Sequence, residues 1–163
     1  MSYYVLIRGP LGSGKSTVSE RLAKILRAEY VSIDRILDES NLEEWEGGYI
    51  SERSFLRANE LASRTAKDFL TRGTPVIFDG NFYWKPQIAD LIDRLNFPHH
   101  IFTLKAPLEV CVERDGHRHP PHGRTATERV YAKSTEFEAG LGIDAAQSVD
   151  RVVSAIVARL RSV

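Results

Sequence analysis

Eleven residues near the start of the chain, IRGPLGSGKST at 7–17, combine glycines, one lysine and hydroxyl side chains. They follow an apolar run and precede a helical pattern. Their spacing fits G-x-x-x-x-G-K-[ST] without departure, and its glycines let successive backbone N–H groups face one phosphate. The motif predicts a phosphate-binding loop. The residues that we expect to contact the phosphates are Gly9, Leu11, Gly12, Ser13, Gly14, Lys15, Ser16 and Thr17.

Lys15 and Ser16 indicate the chemistry of this loop. A lysine at this position supplies a positive charge to the β and γ phosphate oxygens, and the hydroxyl that follows it coordinates Mg²⁺. Asp79 ends the apolar run PVIFD, where an acid can hold the same ion through water; the alternative is a turn formed by the Asp-Gly pair. We therefore expect a nucleoside triphosphate and Mg²⁺, with Ser16 and Asp79 at the metal.

Asp34 follows the second apolar run, YVSI at 30–33. A carboxylate opposite the terminal phosphate can accept the proton of an attacking hydroxyl, which makes Asp34 a candidate catalytic base. The alternative is that Asp34 only caps the short helix that begins there, because aspartate is a strong N-cap residue. Arg35 beside it either reaches an anionic substrate or lies on the surface.

Further candidate residues are mostly arginines. Arg114 and Arg118 flank the turn-rich segment DGHRHPPHG, and a guanidinium that approaches the phosphates would stabilise the charge that builds up during phosphoryl transfer. Arg124 follows that segment and is the third candidate, after Arg118 and Arg114, for such a contact with the phosphates. The histidines of the segment match no standard zinc-site spacing. The remaining candidates, for binding a second substrate, are Arg53 and Arg57, four apart on a helix, and Asn81 and Tyr83 in the cluster NFYW.

The elements that must position these residues alternate between apolar runs and helical patterns. The runs predict strands near 3–8, 30–33, 75–79, 100–104 and 141–144. Strands separated by helices favour a parallel sheet covered by helices on both faces, with ligands at the carboxyl ends of the strands. The stretches 38–60 and 113–135 show no strand pattern and are predicted to be mobile insertions.

Composition limits the classes of function. The chain has 163 residues, 42% of them hydrophobic, which suits a single soluble domain. It has 22 basic and 22 acidic residues, so any anion site must be local, and a long nucleic-acid groove is not favoured. One cysteine, no signal-peptide pattern and no apolar run long enough for a bilayer predict a cytoplasmic protein without a membrane partner.

Taken together, GPLGSGKST, YVSIDRIL, PVIFDGNF, FTLKAPLEVCVERDGHR and GIDAAQSVDRVV resemble the small P-loop kinases, the shikimate kinase-like, adenylate kinase-like, polynucleotide kinase-like and zeta-toxin-like group. No N-K-x-D guanine motif is present, and no apolar strand ends in Asp-Glu as in motor ATPases. The resemblance implies ATP and a three-layer α/β/α P-loop NTPase fold, with a five-stranded parallel sheet in the order 2-3-1-4-5. It also implies one kinase domain over 1–163, an acceptor-binding insertion at 38–60 and a mobile lid at 113–135.

The resemblance also assigns roles. Asp34 would orient or deprotonate the acceptor hydroxyl, lid arginines would close over the phosphates, Arg53 and Arg57 would hold an anionic group of the acceptor, and GIDAAQS would lie against adenine. The expected function is an ATP- and Mg²⁺-dependent kinase acting on a hydroxyl of a small molecule. Two alternatives stay open: a polynucleotide 5′-hydroxyl kinase, and a nucleotide-binding regulator or NTPase without an acceptor. The sequence predicts no oligomeric state.

Overall fold

A central sheet of five parallel strands organises the computed structural model, which describes residues 2–163. The strands in chain order are β1 (Tyr4–Arg8), β2 (Glu29–Ser32), β3 (Trp45–Glu46), β4 (Tyr49–Ile50), β5 (Val76–Gly80), β6 (His99–Lys105) and β7 (Leu141–Asp144). The sheet has the order β2-β5-β1-β6-β7. Counted among the five strands of the sheet, this is the predicted order 2-3-1-4-5.

Within residues 2–163, seven helices connect and cover the strands. They are α1 (Lys15–Leu26), α2 (Ile33–Glu39), α3 (Glu52–Thr71), α4 (Lys85–Leu95), α5 (Leu108–Gly116), α6 (Arg124–Ser134) and α7 (Val149–Arg161). Apolar residues of α2, α3 and α4 pack on one face of the sheet, and those of α1 and α7 pack on the other. The predicted three-layer α/β/α architecture is therefore confirmed.

Strand β1 shows why the sheet must be covered on both sides. Tyr4 and Leu6 belong to one buried cluster, while Val5 and Ile7 belong to the other. Successive side chains of a strand point to opposite faces, so an unbroken apolar run can be buried only between two layers. The position of β1 at the centre of the sheet places the loop that follows it at the middle of the carboxyl edge.

The last residue of β1, Arg8, is fully buried and crosses to the end of α6. Its guanidinium donates hydrogen bonds to the Phe82 carbonyl (3.2 Å) and the Ser134 carbonyl (2.9 Å), and its carbon lies 4.4 Å from the centre of the Phe137 ring. Burial lowers the pKa of Arg8 to about 10, so the group keeps its charge at neutral pH. It ties the phosphate-binding loop to two segments that are distant in sequence.

The stretch 38–60 differs from the prediction. It contains a two-stranded antiparallel hairpin, in which Trp45 pairs with Ile50 and Glu46 pairs with Tyr49. The turn is made by two glycines with φ of 61° and 86°, a backbone region that residues with a Cβ avoid. The strands are only two residues long, too short for the alternating pattern that would reveal them in sequence.

No helix in the described part of the chain is both long and apolar enough to span a bilayer.

Candidate active site

A cavity of about 710 Å³ opens at the carboxyl edge of the sheet, within the size range of small-molecule sites. Its lining brings together residues from four separate parts of the sequence. One wall is the loop and first turn of α1, and the opposite walls come from α2, α5 and the segment before α7. The lining residues outside 11–18 are Ser32, Asp34, Arg114, Arg118, His122, Ala145, Gln147, Ser148, Val149 and Val152.

The predicted phosphate-binding loop has the geometry of an anion cradle. Its bend is held by Pro10, whose carbonyl accepts hydrogen bonds from the Ser13 backbone N–H (3.2 Å), the Ser13 hydroxyl (2.7 Å) and the Lys15 ammonium (2.9 Å). Gly12 and Gly14 have φ of 76° and 93°. The loop leads directly into α1, whose first N–H groups are unpaired and carry the positive end of the helix dipole.

Lys15 lies in the floor of the cavity and is only 7% exposed. Burial lowers its pKa, whereas the nearby carboxylates of Asp34 and Asp79 oppose that shift. The Lys15 ammonium therefore lies near two carboxylates, at a site that is largely shielded from water. A phosphate that enters the cavity would meet a poorly solvated positive charge, which strengthens the attraction.

The two positive-φ glycines of the loop predict different stability losses on substitution. A Cβ at Gly12 would lie 2.2 Å from the Cys111 carbonyl oxygen, whereas nothing lies within 4 Å of a Cβ at Gly14. We expect Gly12→Ala to lower the free energy of unfolding by at least about 2 kcal/mol, and Gly14→Ala by about 1 kcal/mol from backbone strain alone. Urea denaturation of the nucleotide-free protein measures both, and equal losses would contradict the packing argument.

Asp34 faces the cavity from the first turn of α2, and its Oδ1 atom is buried without a hydrogen-bond partner. Ser32, and not Asp34, is the N-cap of α2, since its hydroxyl accepts the Arg35 N–H at 3.2 Å. The alternative that Asp34 serves only as a cap is therefore wrong. Burial raises the pKa of Asp34 to about 6; Lys15 opposes this rise and Asp79 adds to it.

Asp79 is 1% exposed and lies inside β5, so the alternative of a strand-end turn is wrong. The Tyr30 hydroxyl donates a hydrogen bond to Asp79 Oδ2. Burial raises the pKa of Asp79, while Tyr30 and Lys15 lower it. A hydroxyl oxygen and a carboxylate oxygen suit a hard cation such as Mg²⁺, so Ser16 and Asp79 fit the predicted metal role chemically.

Arg114 and Arg118 both line the cavity. The Arg114 guanidinium lies 3.5 Å from the Ser13 carbonyl and 3.4 Å from the carbonyls of Ala146 and Gln147, so it joins the phosphate-binding loop to the segment before α7. Arg118 is exposed at the cavity mouth. With Lys15, these side chains make the cavity locally cationic in a chain with no net charge.

A family model described as an AAA domain matches residues 5–139, which is most of the chain. The chain belongs to that family. The phosphate-binding loop, Asp34, Asp79 and both cavity arginines all lie inside the matched residues. The comparison with solved structures then shows which architecture this AAA domain has.

Three solved structures share the fold of this AAA domain over nearly their whole length. A gluconokinase from Sinorhizobium meliloti is 18% identical, with a TM-score of 0.76 and coverage of 96% of this chain and 92% of that one. A sugar kinase from a Janibacter species is 16% identical, with a TM-score of 0.80 and coverage of 99% and 95%. The APS kinase of Mycobacterium tuberculosis, solved with AMPPNP and APS, is 17% identical, with a TM-score of 0.74 and 98% coverage of both chains. The fold is that of the small P-loop kinases, as the sequence predicted.

The other predicted arginines of the AAA domain do not line the cavity. Arg53 is exposed on α3, and Arg57 is exposed and lies 3.8 Å from Glu44 in an ion pair. Arg35 is exposed, with its guanidinium carbon 5.9 Å from the centre of the Tyr30 ring. Arg124 pairs with Glu109 at 3.0 Å on the surface. Acceptor binding by the first three stays a prediction.

Asn81 and Tyr83 are not in the cavity lining, and Tyr83 contacts the hairpin. Tyr83 is 3% exposed, and its hydroxyl accepts the Ile50 N–H at 2.9 Å. Asn81 is 6% exposed, and its Oδ1 atom is buried without a partner. Tyr83 therefore fastens the hairpin to the end of β5, and contact of either residue with an acceptor stays a prediction.

Lys133 of α6 is a residue that sequence reasoning missed. Its ammonium lies 3.6 Å from the centre of the Trp84 ring and 4.9 Å from that of Tyr49, and its side chain is only 10% exposed. The Tyr49 hydroxyl also donates to the Arg129 carbonyl at 3.3 Å. This cation–π cluster joins the hairpin to α6, so the two stretches predicted as insertions contact each other. No sequence spacing signals such a long-range contact.

Proposed function

We propose that this protein is an ATP- and Mg²⁺-dependent kinase that transfers the γ-phosphoryl group to a hydroxyl of a small molecule. The observation that carries the proposal is Asp34, whose unpartnered carboxylate shares a cavity with the phosphate-binding loop. A protein that only binds nucleotide has no need of a free carboxylate in this cavity, where a carboxylate can take the proton of an attacking hydroxyl. The raised pKa of Asp34, about 6, suits a base that works near neutral pH.

In the proposed reaction, the acceptor oxygen attacks the γ-phosphorus while the bond from that phosphorus to the β–γ bridging oxygen breaks. The hydroxyl proton passes to Asp34, and ADP is the leaving group. Lys15, Arg114 and Arg118 stabilise the charge on the phosphoryl oxygens. Mg²⁺, held by Ser16 and by Asp79 through water, would neutralise charge on the β and γ phosphates.

The base of the nucleotide would lie against the segment before α7. Ala145, Gln147 and Ser148 line the cavity there. The Ala145 N–H donates to the Lys105 carbonyl at 2.7 Å, which holds the segment beside β6. The Ser148 hydroxyl caps α7 by accepting the Arg151 N–H at 3.4 Å, so the segment has a defined conformation before ligand arrives.

The acceptor would bind between Asp34 and the stretch 38–60, and we keep 113–135 as the proposed lid. The exposed arginines Arg35, Arg53 and Arg57 can reach an anionic acceptor only if these parts move when it binds. The solved structures that share the fold carry the names of kinases of small molecules, and the net charge of zero does not favour a nucleic acid. Both facts support a small acceptor.

A screen of ATP consumption tests this proposal. The protein is incubated with Mg²⁺ and ATP and with single metabolites that bear a hydroxyl group, alongside 5′-hydroxyl oligonucleotides. The Lys15→Ala protein serves as the blank. The expected result is ADP formation that depends on one chemical class of small metabolite, with phosphate recovered on that metabolite.

The outcomes separate the alternatives. Labelling of the oligonucleotide alone would show an end kinase and overturn the small acceptor. Slow hydrolysis that no compound accelerates would favour a nucleotide-dependent regulator. Absence of calorimetric heat with millimolar ATP or GTP in the presence of Mg²⁺ would overturn nucleotide binding itself.

A further inference from the structure

Asp115, in the last turn of α5, is a buried acid that the proposed reaction does not use. It is 2% exposed, and its Oδ1 atom accepts the backbone N–H of His122 at 3.1 Å and lies 2.7 Å from His122 Nδ1. Its Oδ2 atom accepts the Gly123 N–H at 2.9 Å. Among residues 2–163, no lysine or arginine forms an ion pair with Asp115. All its hydrogen bonds therefore go to the segment that carries His122.

This arrangement fixes the orientation of the His122 imidazole. Burial by itself would raise the pKa of Asp115, but the bonds from His122 and from the Gly123 N–H lower it below its ordinary value. The acid is therefore an anion that holds Nδ1–H, which leaves Nε2 on the other edge of the ring. A carboxylate that accepts a hydrogen bond from one imidazole nitrogen also stabilises the protonated ring, in which both nitrogens donate hydrogen bonds.

His122 lines the nucleotide cavity together with Lys15, Asp34 and Arg118. Its side chain is 37% exposed, so solvent protons reach it. The carboxylate of Asp115 fixes one edge of the ring, while the cavity beside it is the space that the polyphosphate would fill. A histidine placed in this way can donate a charged hydrogen bond to a phosphate oxygen.

We propose that His122 is a phosphate ligand in the nucleotide cavity, that Asp115 is its positioning residue, and that nucleotide binding draws one proton onto this pair. The inference rests on the proposed function, because it requires a polyphosphate in the cavity. No covalent bond changes in this step: the proton comes from the buffer, enters at Nε2 and is released when the nucleotide leaves.

The charges around the imidazole explain why the proton would arrive with the ligand. Asp115 and Asp34 favour the charged ring, while Lys15, Arg114 and Arg118 line the same cavity and oppose it. A bound polyphosphate adds several negative charges to the cavity. The negative charges near the imidazole then outweigh the positive ones, which favours the protonated ring. Protonation and nucleotide binding are therefore thermodynamically linked, and each strengthens the other.

Calorimetry of MgATP binding to the full chain tests the linkage. Titrations between pH 6 and pH 8 are repeated in buffers that differ in ionisation enthalpy, which yields the number of protons bound per nucleotide. We expect proton uptake in the native protein and a loss of at least about half of it in His122→Gln, with a weaker affinity of about tenfold. His117→Gln, an exposed histidine outside the cavity, is the matched control and retains the uptake.

Asp115→Asn separates the positioning role from the contact itself. It keeps the shape of the side chain, so we expect reduced proton uptake and a correspondingly weaker pH dependence of nucleotide affinity. The His122→Gln measurement is independent of whether Asp115→Asn folds, because His122 is exposed. Uptake that is unchanged in His122→Gln would overturn the inference and leave the proposed function intact. Uptake lost in His122→Gln but kept in a folded Asp115→Asn would overturn the positioning role. A native protein that binds no nucleotide would overturn the proposed function instead.

Discussion

Replacing Lys15 by methionine is expected to lower the rate of phosphoryl transfer by about 10³-fold, because the loop then lacks its only cation. The Lys15 ammonium is buried at the floor of the cavity and is held across the loop by the Pro10 carbonyl at 2.9 Å. It has little solvation to lose when it turns to the phosphates, so its interaction with the developing charge is large. Methionine matches its length and fills the same space without charge.

Steady-state kinetics with the acceptor found in the screen measures this effect. Lys24→Met is the matched control, since Lys24 is exposed on the same helix and does not line the cavity. We expect the control to keep the native rate and both variants to unfold cooperatively. A Lys15→Met protein that retains more than a tenth of the native rate would remove Lys15 from catalysis.

Replacing Asp34 by asparagine is expected to lower kcat by about 10²- to 10³-fold and to leave the affinity for MgATP nearly unchanged. Asparagine keeps the shape of the side chain but cannot accept the acceptor proton at neutral pH. Nucleotide affinity should survive because the proposed phosphate contacts, from the loop with Lys15 and from Arg114, Arg118 and His122, do not involve Asp34. Calorimetry and steady-state kinetics separate the two quantities, and Asp38→Asn on the exposed side of α2 is the control.

The pH profile gives an independent test of the same residue. A base must be ionised to act, and burial places the pKa of Asp34 at about 6. The value of kcat/KM should therefore rise with pH, about tenfold per unit below pH 6, and level off above it. A profile that is flat between pH 5 and pH 8 would contradict the role of Asp34 as base.

Stability should change in the opposite direction to activity. The pKa of Asp34 is higher in the folded protein than the ordinary 3.8, so its contribution to stability is present below pH 3.8 and is lost as the pH rises through about 6. At pH 7, Asp34→Asn should therefore raise the free energy of unfolding by about 1–3 kcal/mol, and the gain should vanish near pH 4. Urea denaturation at both pH values measures it and shows that the variant is folded.

The phosphate-binding loop and the strands of the sheet were predictable from sequence, because both depend on local patterns, whereas the strand order was implied by the resemblance to the small P-loop kinases. The loop needs glycines at fixed spacing, and Gly12 and Gly14 have the positive φ angles that only glycine adopts readily. Strand β1 is an unbroken apolar run because it is buried on both faces, and such a run is visible without a structure. The start of α7 is equally local, since the Ser148 hydroxyl accepts the N–H of Arg151, three residues further on.

The sequence left alternatives open where nearby residues compete for one role or share one helix face. Ser32 and Asp34 are both good capping residues, and only the backbone path shows that Ser32 caps α2 and frees Asp34 for the cavity. Arg57 shares a helix face with Arg53, but the rotation of α3 about its axis directs both to the surface. Helical periodicity shows which residues share a face and does not show what that face meets.

By itself, then, the sequence determined the parallel α/β sheet, and it predicted the phosphate-binding loop with Lys15 and Ser16 and the carboxyl edge as the place for ligands. Only the tertiary structure brought Asp115 against His122, and Lys133 among the rings of Tyr49 and Trp84. The physical reason is the separation in sequence between the residues that interact. Backbone conformation follows from neighbours within a few residues, whereas the charge, burial and orientation of a site side chain depend on residues that the crossovers of the sheet bring together from distant parts of the chain.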